Sequence, residues 1–177
     1  MTNSPANAAN NRSFDPEVNP SKTYASWKKL AHKPGGKRVF SVLASFMAPY
    51  FATIVPSVED MRPGYARVHS PKWYMVQNHI GTYHAIAGCN VAEMAMGMMC
   101  EASVPATHRW LPMGMRTKYT AKTTGGVTAE ATATFPDWST ITRESGGVKQ
   151  TVNIAFKDAA GKSTIEAEID VWLTAKK

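Results

Sequence analysis

The sequence predicts an α+β domain in which a curved antiparallel sheet wraps around one long central helix, with a helical lead in front. Three observations predict it. The stretch VQNHIGTYHAIAGCNVAEMAMGMMC (76–100) is nearly free of charge, and from Trp73 to Cys100 Glu93 is the one residue among Asp, Glu, Lys and Arg. After it the apolar pattern changes to period two: in 127–135 Val127, Ala129, Ala131, Ala133 and Phe135 alternate with polar residues, as do Ile165, Ala167, Ile169, Val171 and Leu173 in 163–174. Turn signals divide these runs at Gly125-Gly126, Gly146-Gly147 and DAAGK 158–162. A helix this apolar must be covered, and the one-sided sheet that follows is the simplest cover.

The elements follow in order. Residues 1–21 are polar and rich in Asn and Pro, without periodic apolar positions, and are expected to be a disordered tail ahead of a single domain over 22–177. Residues 22–32 place Tyr24, Trp27, Leu30 and Ala31 on one side of a short amphipathic helix, which KPGG 33–36 stops. A second helix is expected over 37–48, then strands over about 51–59 and 64–70 with a turn at RPGY 62–65. VFSVLASFMAPYFATIV (39–55) approaches membrane-spanning length without a charge. Pro49 interrupts it, and it reads as a helix running into a strand, so no membrane span is expected. The central helix is expected from Gly81 or Thr82, with Thr82 as N-cap, to about Glu101.

Composition sets bounds on function. The net charge of +7 favours anionic partners. Aromatic residues do not interleave with Lys and Arg as in a base-stacking platform, so nucleic acid is not the expected partner. Cys89 and Cys100 both lie in the apolar stretch and read as reduced thiols, which predicts a cytoplasmic protein; no metal or other cofactor is expected.

Glu93 carries the functional question. Helical spacing puts Ile86, Asn90, Glu93 and Gly97 on one stripe. An ionised carboxylate buried there costs several kcal/mol unless it is paired or meets water. One reading is a carboxylate paired with a cation from the sheet, or exposed by rotation of the helix; the other is a catalytic base or nucleophile in a cleft. Asn78, His79, Gly81, Thr82 and His84 gather just before the helix, whose first N–H groups suit an oxygen gaining negative charge.

NHIGTYHAIAGCNVAE resembles the signature of hotdog-fold acyl-CoA thioesterases of the phenylacetate-pathway type. Asn78 lies six residues before His84, Gly81-Thr82 stand between, and Glu93 falls nine after His84. HAI (84–86) replaces the family's His-Gly-Gly. About residues 25–175 also resemble a hotdog branch described as a domain of unknown function, including the PGYARV strand at 63–68. The resemblance implies the hotdog fold and hydrolysis of an acyl thioester on coenzyme A or acyl carrier protein. The N–H of Ala85 or His84 would polarise the carbonyl, Glu93 would act as base or nucleophile, and Asn78 would orient water or the carbonyl. His79, Gly81, Thr82 and Asn90 would border the substrate. Arg116, Lys118 and Lys122 are candidates for coenzyme A phosphates, and Met94, Met96 and Met98 for an acyl wall.

Nine residues of helix span roughly 13–14 Å. One chain therefore cannot bring its own helix N-terminus and its own Glu93 to one carbonyl, which predicts a homodimer, or a dimer of dimers, with the site at the interface. Two alternatives stand: a non-catalytic acyl-thioester-binding module, which the HAI departure favours, and a hydratase or dehydratase pairing His79 with Glu93.

Overall fold

A computed structural model describes residues 12–177. The lead comprises α1 (Lys22–Leu30), α2 (Gly36–Met47) and a 3-10 segment (Pro49–Ile54). Then come the hairpin β1 (Ser57–Arg62) and β2 (Tyr65–Ser70), the central helix α3 (Ala85–Ser103), and strands β3 (His108–Tyr119), β4 (Val127–Thr132), β5 (Val148–Asp158) and β6 (Ser163–Ala175). The six strands form one antiparallel sheet in the order β1-β2-β4-β5-β6-β3, and α3 touches every strand. A sheet laid over one helix is what the periodicities predict, and the arrangement is the hotdog fold that the resemblance implies.

Local chemistry accounts for the elements. Ser21 caps α1 by accepting from the Tyr24 N–H. Pro63-Gly64 turns β1 into β2, and Gly64 at φ +75° supplies the left-handed position. Asp158 accepts from the N–H groups of Ala160 and Lys162 to close the β5–β6 turn. Val91, Met94, Met96 and Met99 of α3 are fully buried against the sheet's inner face, together with Val68, Ala129, Ile154, Phe156, Ile169 and Leu173. Burying each large apolar side chain contributes about 1.5–3 kcal/mol.

Four expectations are corrected. Residues 12–21 are not a disordered tail: the Phe14 ring packs edge-on to His108 at 5.8 Å, Tyr24 donates to Glu17, and the Ala106 N–H donates to the Asn19 carbonyl. Single apolar residues such as Phe14 leave no periodic signature. Residues 1–11 lie outside the described residues. The first strand begins at Ser57 instead of near 51, because Pro49 opens a 3-10 turn. The helix N-cap is His84, not Thr82: the His84 Nδ1 accepts from the Ile86 N–H. A strand over 108–119 was not anticipated. This β3 pairs with β6 along one side only and forms a sheet edge, so its residues do not alternate between core and solvent.

Cross-strand charge holds the outer face. Asp170, 8% exposed, accepts from Arg116 Nη1 and Nη2 at 3.0 and 3.3 Å and from the Thr151 hydroxyl at 2.7 Å. Arg116, then Thr151, holds the Asp170 carboxyl well below the usual carboxylate range. A carboxylate lowered on folding stabilises the protein above its ordinary value near 4, and that contribution is lost as pH falls toward the folded value. Asp170→Asn is therefore expected to lower the melting temperature at pH 7 and to flatten the loss of stability between about pH 5 and pH 2. Thermal melts of both proteins across that range check it, and an unchanged acid limb contradicts it.

Candidate functional site

The segment before α3 is a compact, self-bonded loop. Asn78 organises it: its Oδ1 accepts from the N–H groups of Ile80 and Thr82 at 3.2 and 3.0 Å, and its Nδ2 donates to the Thr82 hydroxyl at 2.7 Å. The backbones of Asn78 and Thr82 also bond, and the Gly81 N–H donates to the Asn78 carbonyl. Gly81 sits at φ +73°, a left-handed conformation that closes the loop. The spacing of the motif is thus a folding requirement: Asn at one end, Gly at the turn and Thr at the return form one hydrogen-bonded unit. Tyr83 anchors the unit from below. Its hydroxyl meets Ser70 Oγ at 2.6 Å, its N–H donates to the Thr123 carbonyl, and burial pushes the phenol up to about 12.

The loop delivers a helix N-terminus to the surface. The His84 N–H is used on the Val76 carbonyl, and the Ile86 N–H on His84 Nδ1. The Ala85 N–H has no partner among the described residues, and Ala85 is exposed. His79 is exposed on the loop. Of the two N–H groups the resemblance offered for an oxyanion, that of Ala85 is available and that of His84 is not.

Glu93 is exposed on a helix whose residues from Val91 to Cys100 are otherwise buried. It has no hydrogen bond or ion pair among the described residues. Of the two ways in which an isolated carboxylate can avoid burial, a cation from the sheet or exposure, the described residues show exposure. Its face is continuous along α3. One turn earlier, Cys89 Sγ lies 3.6 Å from Thr117 Oγ1 and 3.3 Å from Tyr119 Oη of β3. One turn later, Gly97 lies beneath the Trp110 ring, which a Cβ would approach to 3.4 Å. The Tyr119 hydroxyl also donates to the Ala85 carbonyl at 3.2 Å, and burial, then Cys89, pushes this phenol up to about 12. Sequence reading missed Cys89, Thr117 and Tyr119. The i, i+4 spacing of Cys89 and Glu93 was the available signal, but nothing marked β3 as its neighbour.

The remaining candidates divide. Asn90 is buried, and its Nδ2 donates to the Tyr50 carbonyl and the Thr53 hydroxyl, which docks the 3-10 turn on α3; its Oδ1 is buried without a partner among the described residues. Lys122 is exposed next to Thr123, whose carbonyl holds the loop, so it lies on the helix N-terminal side. Arg116 and Lys118 lie away from α3. Residues 117 and 119 turn toward α3, so 116 and 118 face the opposite side of the sheet, where Glu168 and Asp170 engage Arg116. Met94, Met96 and Met98 are packed into the core.

Removing the organising side chain should cost more than straining the turn. Asn78→Ala forfeits three hydrogen bonds and is expected to cost about 1–3 kcal/mol. Gly81→Ala meets no atom within 4 Å and costs only the left-handed strain, about 1 kcal/mol. Chemical denaturation of both variants checks the order, and a neutral Asn78→Ala contradicts the organising role.

Comparison with known proteins agrees with this architecture. A structural-genomics target protein is 39% identical, with a TM-score of 0.73 over 87% of this chain and 98% of that one. A protein of unknown function from Pseudomonas aeruginosa, PA5026, described as a probable thioesterase, is 20% identical, with a TM-score of 0.68 over 76% of this chain and 92% of that one. Thioesterase HI1161 from Haemophilus influenzae is 11% identical, with a TM-score of 0.61 over 71% of this chain and 82% of that one. No curated protein matches the chain. The model of the family described as a domain of unknown function, DUF4442, matches residues 36–173, and the chain belongs to that family.

Proposed function

We propose that the protein hydrolyses an acyl thioester, of coenzyme A or acyl carrier protein, at a site completed by a second copy of the chain. The observation that carries this is the placement on one helix of two exposed groups without partners among the described residues: the Ala85 N–H at its start and Glu93 eight residues on, about 12 Å away. One reacting carbonyl cannot touch both in one chain. A two-fold partner with its helix antiparallel brings Glu93 of one copy to Ala85 of the other. Edge strand β3 supports that assembly. It is 12 residues long and exposes Leu111 and Met113 at 59% each, an edge that pairing with its own copy would cover.

In this arrangement the Ala85 N–H and the helix dipole hold the thioester carbonyl oxygen. Glu93 takes a proton from a water molecule as that water attacks the carbonyl carbon. The tetrahedral oxyanion collapses, the C–S bond breaks, and Glu93 returns the proton to the departing thiolate. The acid product and the free thiol leave. Direct attack by Glu93 would instead form a mixed anhydride that water then opens. Lys122 stands on the helix N-terminal side, where a phosphate of the carrier would be held. The catalytic reading draws further support from the thioesterases among the proteins of like fold.

A second reading, binding without turnover, rests on one observation. Ala85 and Ile86 carry side chains where the related signature has two glycines, and the Ile86 N–H is already bonded. Thiol release over a panel of acyl-CoA chain lengths separates the two. Hydrolysis by the wild type and a loss of about 100-fold or more in kcat for Glu93→Gln are expected. Tight acyl-CoA binding with no thiol release at any chain length contradicts the catalytic reading.

A further inference from the structure

Helix α2 is apolar on more than its buried side. Its inward face carries Phe40, which packs on Trp27, together with Ser41 and Ser45, all three buried. The serines are satisfied there: Ser41 Oγ donates to the Lys37 carbonyl and accepts from the Val58 N–H of β1, and Ser45 Oγ donates to the Ser41 carbonyl. The outward face is apolar. Val39, Val42 and Leu43 are about half exposed, Phe46 is 77% and Met47 81% exposed. Tyr50 at 67% and Val55 at 48% extend the surface into the 3-10 turn. Val55 has φ 45°, an unfavourable backbone for a β-branched residue. Shallow apolar grooves flank the ridge. One, of 360 Å³, is lined by Val42, Phe46, Pro49 and Val55; the other, of 350 Å³, by Lys22, Leu43, Phe46 and Met47. Soluble surfaces seldom leave so contiguous an apolar patch uncovered.

Charge says what covers it. Between Val18 and Val58 the chain carries six cations, Lys22, Lys28, Lys29, Lys33, Lys37 and Arg38, and no Asp or Glu. Lys33, Lys37 and Arg38 are exposed at the start of α2, and Lys22 borders Phe46 and Met47 near its end. Cations therefore stand at both ends of the ridge. A second copy docked by this face about a two-fold axis would set these four cations against four, which opposes self-association. The complement is a surface that is anionic outside and apolar beneath, and yields to a protruding ridge.

We propose that α2 and the 3-10 turn after it are a membrane-surface docking element, with Phe46, Met47 and Tyr50 inserted among acyl chains at an anionic bilayer and Lys22, Lys33, Lys37 and Arg38 on its headgroups. The element lies in the surface plane; among the described residues no helix is long and apolar enough to cross a membrane. The proposal does not rest on the chemistry at Glu93.

Cosedimentation of the full chain with vesicles tests it. The protein is expected to bind phosphatidylcholine vesicles containing about 30 mol% phosphatidylglycerol at least roughly tenfold more tightly than pure phosphatidylcholine vesicles, and to be released in about 1 M NaCl. Phe46→Ser with Met47→Ser should abolish binding without lowering the melting temperature, since both side chains are exposed. Lys33→Gln with Arg38→Gln, which keeps the apolar ridge, should weaken binding to anionic vesicles by about tenfold. Absence of binding to anionic vesicles overturns the proposal, as does binding indifferent to both double variants. So does a wild-type oligomer that the Phe46/Met47 variant dissociates, since a second copy would then be the cover.

Discussion

Burial of an almost uncharged helix is the constraint on which the rest of this structure depends. Nothing on α3 between Val91 and Cys100 can face water comfortably except Glu93, so the sheet must curl until it touches the helix from every strand. Small residues make the fit close. A Cβ on Gly88 would come within 2.7 Å of the Ile165 side chain. What α3 leaves exposed, its start at Ala85 and Ile86 and then Glu93, includes an N–H and a carboxylate without partners among the described residues. Packing and the proposed chemistry are thus divided by helical phase: one side of α3 is core, and the other carries the groups that the proposal assigns to a partner copy and a substrate.

The loop ahead of α3 shows how a motif can look catalytic while serving first as a fold. Asn78, Gly81 and Thr82 spend their hydrogen-bonding capacity on one another. What they contribute to a reaction is position: they fix where the helix begins, and so where the Ala85 N–H points. His84 does the same by capping the Ile86 N–H. Among the described residues the Ala85 N–H and the Glu93 carboxylate remain without partners, and these are the groups the proposal uses.

Legibility followed periodicity. The central helix, the alternating strands β4 to β6 and the turns at Pro63-Gly64 and Asp158–Lys162 were readable because each carries a repeating pattern or a turn residue with a definite backbone demand. Strand β3 was not, because an edge strand with exposed Leu111 and Met113 and a bulge near Pro112 breaks the alternation. Residues 12–21 were misread because Phe14 and Asn19 act through single tertiary contacts. The side of the sheet that Arg116 and Lys118 face was not legible either: without β3, nothing told which way each residue turns. Helix α2 is apolar on both sides, and only the burial of Phe40, Ser41 and Ser45 told which face turns inward and which is left exposed.

The central claim is that the helix start of one chain and Glu93 of another act on the same carbonyl. Subunit complementation tests it most directly. Asn78→Ala, which unmakes the loop that positions Ala85, and Glu93→Gln are each inactive alone on this account. In a mixed dimer one site carries both lesions and the other carries neither. Coexpression should therefore restore thiol release to about a quarter of the wild-type rate under random assortment. If activity stays absent while mixed dimers are shown to form, Glu93 and the helix start of the same chain share a site, and the two-chain account is wrong.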